Sequence, residues 1–324
     1  LLAKYSLIKL VNRNNQENLS PIIKVGLNMT DNVYNREDVL EKYREAGRIL
    51  KIVRAEAADM IRIGNSLLEV AEFVEKKTME LGGKPAFPCN ISRNQEAAHA
   101  TPKAGDKDVF GKDMVKLDLG VHVDGYIADS AITVDLSGNS DIVKASEEAL
   151  AAAIDLMKPG VRTGEVGAAI EESIRRYGLS PITNLTGHGL SQYEAHDNPA
   201  VPNKHVEGGV ILKEGDVLAI EPFATSGTGL VHDGSWAEIY SIIRKKPVRM
   251  PVVRNVLKQA EEYRELPFAK RWLKSDKLEF SLIQLERAGI LHSYPVLIES
   301  AGGLVSQAEH TVIITQDGCE VTTK

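Results

Sequence analysis

The chain of 324 residues has only two cysteines, Cys89 and Cys319. That excludes a disulfide framework and a cysteine-built zinc site, and it fits a reducing compartment such as the cytoplasm. No stretch reaches the roughly 18 apolar residues that a membrane-spanning helix needs. The apolar run near Leu7 is broken by Lys9, which makes a poor secretory signal. Positive charge is not in excess: 39 Lys and Arg stand against 45 Asp and Glu, a formal net charge of -6. This balance weighs against nonspecific nucleic-acid binding, DNA included. The rest of the composition, 43% hydrophobic and 26% charged, is ordinary for a globular protein of one large or two ordinary domains.

Residues 1–28 carry neither a helical nor a strand period. They read as an N-terminal extension ahead of a natural start at Met29, or else as an ordered N-terminal strand. After Asn35 the pattern changes. Residues 36–62 have Leu40, Tyr43, Ala46, Leu50 and Val53 on one side, which predicts a long amphipathic helix. A second helix is expected over 66–81, ending at Gly82-Gly83. The blocks 142–158 and 163–177 repeat this scheme. A shift of 96 residues aligns Gly64, Glu69, Val70, Glu75, Gly82 and Pro85 with Gly160, Glu165, Val166, Glu171, Gly178 and Pro181 without a gap. Chance matching of amphipathic helices does not account for the glycines and prolines. The pattern predicts an internal duplication with a cleft between the halves. Between residues 230 and 300 the character changes again. Segments 254–265 and 276–289 read as helices, so 230–300 is expected to be a helical insertion.

The chemistry starts with Asp118 and Asp129 in LDLGVHVDGYIADSAITV. Two alternating strands flank Asp124-Gly125, a hairpin turn signal. That turn sets Gly120 opposite Asp129 and puts Asp118 on the same face. The two carboxylates then lie diagonally, about 7–8 Å apart at the backbone, with a glycine between them as a cradle for cations. Three further candidates join them. His188 stands between glycines in TGHGLSQYEAH, a tight and exposed backbone. Glu221 interrupts the apolar strand VLAIEPF, expected over 217–223. Glu309 opens the strand EHTVIIT, within a strand expected over 308–315. A carboxylate in a buried strand is costly unless it is paired or bound to metal. Four carboxylates and one imidazole suit one or two divalent ions. Two such ions, bridged by carboxylates, can hold a water nucleophile and polarise a carbonyl. His99 in EAAHATP and His196 can donate to a substrate carbonyl or relay a proton near pH 7.

Taken together, Asp118, Asp129, His188, Glu221 and Glu309, with FPCNISRNQEAAHATP, GHGLSQYEAH, EPFATSGTG and AEHTV, resemble the methionine aminopeptidases. The long segment after Glu221 resembles the type II subgroup of the archaeal kind. The likeness covers roughly residues 30–324. It implies the α+β pseudo-two-fold "pita-bread" (creatinase/aminopeptidase) fold. The catalytic domain would be 29–229 with 301–324, and the helical insertion subdomain 230–300. It implies two divalent ions (Co, Mn, Fe or Zn) bridged by Asp129 and Glu309. Asp118 would complete one shell, and His188 with Glu221 the other. His99 and His196 would contact the substrate, and Glu221 would shuttle the proton. Phe87, Phe223 and Tyr294, with Ala195 and His196 nearby, would form the methionine pocket; ordinary core packing is the plain alternative for these aromatics. Position 239, a pocket histidine in the eukaryotic enzymes, is Ile239 here. The implied partner is the N-terminal segment of nascent polypeptides with a small second residue. The enzyme would be a cytoplasmic monomer in transient contact with the ribosome. A proline-specific peptidase of the same fold, a metal-free binding protein on this scaffold and a structural ion cluster are the rival readings.

Overall fold

The apolar spacing of residues 36–62 becomes a helix, α1 (Arg36–Met60), in the computed structural model, which describes residues 36–324. The expected extension 1–28 and the Met29 start lie outside the described residues. Along α1 the buried residues Tyr43, Ala46, Leu50, Val53 and Ala57 recur at helical spacing. Helix α2 (Leu67–Glu80) is capped by Ser66, whose hydroxyl accepts the Glu69 N–H at 3.3 Å. Helices α3 (Ser140–Leu156) and α4 (Thr163–Arg176) follow. The start of α4 is fastened by the Glu165 carboxylate, which accepts the Arg162 N–H at 2.9 Å. The 96-residue offset holds at both ends of α2 and α4, each 14 residues long. Gly64 and Gly160 precede them with left-handed φ of +90° and +93°, a turn that favours glycine. The repeat read from the sequence is therefore a repeat of structure.

The strands, in chain order, are β1 (Asn90–Arg93), β2 (Glu96–Ala98), β3 (Met114–Val123), β4 (Tyr126–Asp135), β5 (Thr186–Ser191), β6 (Glu194–Pro202), β7 (Val217–Ile220), β8 (Phe223–Thr225), β9 (Val231–Ile242), β10 (Leu291–Glu299), β11 (Val305–Gln307), β12 (His310–Ile314) and β13 (Cys319–Val321). Three two-residue strands, Lys84–Pro85, Ser180–Pro181 and Phe268–Ala269, extend the sheets. In the first half, β3 pairs with β1, β4 and Lys84–Pro85. In the second, a five-stranded sheet runs β13-β12-β7-β5-β6. Each helix pair covers its own sheet. Ile49, Val53, Val70 and Val74 pack on Ile91, Leu117 and Val121. Ile142, Leu150, Val166 and Ile170 pack on Leu218, Ile220 and Val312. Hydrogen bonds join the halves: Asp129 N–H donates to Thr311 Oγ1 at 2.7 Å, and Glu309 N–H to the Ala131 carbonyl at 2.9 Å. With two structural halves of this design, the fold is the pita-bread fold.

The structure departs from the sequence reading at two strands and in the segment 230–300. The strand expected over 217–223 breaks after Ile220, because Pro222 has no N–H to give the ladder. The strand expected from 308 starts at His310, and Gln307 ends the separate strand β11. The segment 230–300 begins and ends in strands. Strands β9 and β10 pair with one another, and β10 also pairs with β2. Only α5 (Pro251–Ala260), α6 (Leu278–Arg287) and two short 3₁₀ turns between them are helical. These elements share a core of Val253, Val256, Phe268, Leu282 and Leu285.

Candidate metal centre

The Asp124-Gly125 turn forms as the sequence predicts, with left-handed φ of 52° and 89°. It fixes the register, so that Gly120 pairs with Asp129 and Asp118 with Ala131. Gly120, however, is not an open cradle. A methyl there would lie 2.5 Å from Cδ1 and 2.9 Å from Cζ of Phe87, so the aromatic ring fills the space. His188 comes from β5, beside Ala219 of β7. The backbone around it is buried rather than exposed. Any Cβ at Gly187 would strike the Ala219 carbonyl, and any at Gly189 the Asn198 carbonyl. Those glycines allow close approach of neighbouring strands.

Glu221 and Glu309 take their places from one ladder end. The last antiparallel pair is Ile220 with His310. Glu221 is the next residue along one strand and Glu309 the preceding residue of the other, so the two carboxylates stand across from one another where the ladder opens. The strand breaks therefore have a purpose: they leave both acids outside regular pairing.

These groups converge. Ligand atoms of Asp129, His188 and Glu309 lie within 4.8 Å of one another. His188 Nε2 is 3.4 Å from Glu221 Oε1 and 3.9 Å from Asp129 Oδ2. Asp118 joins through Gln307, which hydrogen-bonds it and donates to Glu309 Oε2 at 3.2 Å. Burial pushes the Asp118 carboxyl up to about 7, opposed by hydrogen bonds from Asn90 and Gln307. Asp129, Glu221 and Glu309 are raised well above the carboxylate range, first by burial and then by neighbouring acids: Asp118 for Asp129, and Asp129 foremost for Glu221 and Glu309. Burial lowers His188 to about 4, so its imidazole is a neutral ligand at pH 7. Among the described residues, no lysine or arginine forms an ion pair with any of the four acids. Asp118 Oδ1 and Asp129 Oδ1 are buried with no hydrogen-bond partner. Orphaned acceptors and acids with no cationic partner among the described residues, with one neutral imidazole, fit divalent cations and leave the structural ion cluster without its cations.

The other candidates fall around this centre. The His196 ring lies 4.4 Å from that of His188, centroid to centroid. One face of His196 is open to solvent, and protein with His188 beside it lowers its basicity, so it too is neutral at pH 7. His99 is pushed down to about 4 by burial and by His196, and its ring hydrogen-bonds the Pro295 carbonyl. Its Nδ1 is buried with no partner. Tyr294 packs edge-on against His99 at 5.6 Å. Ile239 pairs directly with Tyr294 across the strands, which puts position 239 beside this group. Phe87 packs with Tyr43, Ile127, Leu190 and Ala195. Phe223 is almost wholly buried against Ala97, Ala98 and Leu297, and pairs with Gln307.

Sequence reasoning missed the residues that hold the ligands. Asn90 and Gln307 support Asp118. Thr311 brackets Asp129, accepting its N–H and donating to its carbonyl at 2.8 Å. Ser130 donates to the Glu309 carbonyl at 2.6 Å, and Arg54 donates to Ser130. Gln307 was within reach, since it precedes Glu309 by the two-residue strand period. Such supporting groups fix ligand orientation.

Residues 41–316 match metallopeptidase family M24. A methionine aminopeptidase of Archaeoglobus fulgidus is 53% identical over 290 residues, covering 89% of this chain and 99% of that protein. In three dimensions the chain is similar to a methionine aminopeptidase of Thermotoga maritima (TM-score 0.66, 24% identity, 89% of this chain and 97% of the other). It is also similar to a prolidase of Pyrococcus furiosus (TM-score 0.58, 22% identity, 89% and 64%). The identities of these two structures speak to the fold alone. The family match over most of the chain, the archaeal relative matched nearly end to end and the buried carboxylate centre agree: the chain belongs to metallopeptidase family M24, in its methionine aminopeptidase branch.

Proposed function

We propose that this protein removes the N-terminal methionine from nascent polypeptides whose second residue is small, using a dinuclear divalent centre. The observation that carries the reading is a set of four acids, Asp129 and Glu309 buried and Asp118 and Glu221 half-buried, around a neutral imidazole, with no cationic side chain paired to them among the described residues. Asp118, Asp129, His188, Glu221 and Glu309 would hold two ions, whether Co, Mn, Fe or Zn, and these would supply Lewis acidity and an activated water. Glu221 faces the centre with a raised affinity for protons, which suits it to take a proton from water and pass it to the leaving amine. Neutral His196 is suited to donate a hydrogen bond to the scissile peptide as charge develops on its carbonyl, while His99, whose one N–H goes to the Pro295 carbonyl, is suited to accept a substrate N–H at Nδ1. Phe87, Phe223 and Tyr294, with Ala195, would receive the methionine side chain, since thioether–aromatic contact is favourable. Residues 29–229 with 301–324 would be the catalytic domain and 230–300 the inserted one. Among the described residues no helix is long and apolar enough to cross a membrane. The proposed enzyme works in the cytoplasm on emerging chains, as a monomer and in transient contact with the ribosome.

The test is metal-dependent release of methionine from Met-Ala-Ser, with Ala-Pro and Ala-Pro-Ala as controls and metal content measured on the same sample. Two ions per chain and turnover on the methionyl peptide alone are expected. Inert protein after loading with manganese or cobalt, or preference for the prolyl peptides, overturns the reading. Glu221→Gln should bind less metal and lose nearly all turnover. His196→Ala should keep its metal and lose rate.

A further inference from the structure

Glu75 and Glu171 are equivalent positions of the repeat, and their partners have diverged. Glu171 works at the surface, accepting the His205 N–H at 2.8 Å and pairing with Arg175 at 2.7 Å. Glu75 is largely shielded, its side chain 13% exposed, and forms a close ion pair with Arg271, whose side chain is only 5% exposed. Trp272 also hydrogen-bonds Glu75. Both partners come from the 3₁₀ turn Lys270–Trp272, which lies between α5 and α6.

Arg271 reaches further. Its Nη1 donates to Thr101 Oγ1 at 2.8 Å and to the Pro102 carbonyl at 3.0 Å. Thr101 donates in turn to the Cys89 carbonyl at 2.7 Å, and the Ala100 carbonyl accepts the Ile91 N–H at 2.6 Å. These residues follow His99 directly. His99 itself has φ of 64°, a left-handed conformation uncommon outside glycine, though histidine takes it more often than most residues. Such a backbone persists only where its surroundings over-determine it. On one side stands the ring's hydrogen bond to Pro295. On the other stands the guanidinium, gripping the next turn of chain.

We propose that Arg271 is a positioning residue for His99. From the segment between β9 and β10, it clamps residues 101–102 against α2 and so fixes the direction in which the His99 imidazole points. This inference rests on the reading of His99 as a substrate contact. A planar guanidinium can bond a carboxylate, a hydroxyl and a carbonyl at once, in fixed directions. A lysine ammonium, a flexible point charge, cannot.

The experiment uses metal-loaded enzyme. Arg271→Lys keeps the charge and loses the fork. Thr101→Val removes two bonds, the one from Arg271 and the one to the Cys89 carbonyl, and leaves the Arg271–Glu75 pair alone. A misplacement of roughly 1 Å is worth up to about 100-fold in rate, so Arg271→Lys should lower kcat on Met-Ala-Ser by about 10- to 100-fold. Thr101→Val should lower it several-fold. KM and metal content should move less than about 2-fold, and the ¹⁵N resonances of the His99 ring should shift. In a His99→Ala background, Arg271→Lys should add no further loss of kcat. Wild-type kcat and unmoved His99 resonances in Thr101→Val and Arg271→Lys, with His99→Ala impaired, overturn the proposal and leave the proposed function standing. If Arg271→Lys does not fold, Thr101→Val decides. Full rate in His99→Ala sinks the role of His99 and this proposal with it. A wild type that releases no methionine sinks the function instead, and the His99 resonances still read the clamp.

Discussion

Replacing Gly120 with alanine would put a methyl group where Phe87 already stands. The new carbon would be 2.9 Å from Cζ and 2.5 Å from Cδ1 of that ring. Carbon atoms at rest want about 3.5–4.0 Å, so the ring must retreat by roughly 1 Å or more. It has little room, with Tyr43, Ile127, Leu190 and Ala195 packed around it. Overpacking of this kind costs about 1–3 kcal/mol. In a domain of this size that is roughly 2 °C of Tm for each kcal/mol. The same displacement moves an implied wall of the methionine pocket, directly beside Asp129. A methylene's worth of misfit in an apolar pocket is about 10-fold or more in kcat/KM. Gly120→Ala should therefore melt several degrees low and lose about 10-fold in kcat/KM on Met-Ala-Ser, with metal content unchanged. Adding Phe87→Leu should recover part of the lost Tm. A Gly120→Ala enzyme with wild-type Tm and wild-type kcat/KM would refute the claim that the glycine exists to seat the ring.

Two further outcomes follow from the protonation of buried groups. The acids of the centre hold protons without metal, Asp118 titrating at about 7. Loading should release protons, and affinity should climb as pH rises through 7; calorimetry in buffers of different ionisation enthalpy reads the release, and a pH-independent affinity would contradict it. His122 accepts the Gly125 N–H through Nδ1 at 3.0 Å, and burial lowers it from 6.5 to about 4. Between those values the unfolded chain binds a proton that the folded one refuses, so stability from His122 is present above pH 6.5 and lost as pH falls towards 4. Linkage puts this at no more than about 3 kcal/mol. Urea melts of wild type and His122→Gln should diverge across that window, and parallel curves would rule the effect out.

Local rules carried the sequence reading furthest where they were strongest. A two-residue turn fixed the register of β3 and β4, and with it the diagonal of Asp118 and Asp129. Glycines and prolines at matched spacing exposed the repeat. What escaped was non-local. The use of Gly120 depends on Phe87, which arrives from the bend between Lys84–Pro85 and β1. Glu221 and Glu309 read as residues within strands, because the pattern VLAIEPF cannot show where a ladder opens. Residues 230–242 hid a strand because register shifts between Asp233, Ala237 and Ile239 break its two-residue period. Arg271 is 170 residues from Thr101 and 196 from Glu75, beyond any window of periodicity.

That long reach bears on how such a chain could change over time. The two copies of the repeat carry the same acid at the same place, and one of them depends on an arginine from far downstream. Deleting the stretch that carries Arg271 would strand the Glu75 carboxylate away from water, a burden of about 3–5 kcal/mol for an abandoned buried charge. Gain or loss of that stretch is therefore tied to what stands at position 75. Descendants that shed it should be found to have given up the glutamate first.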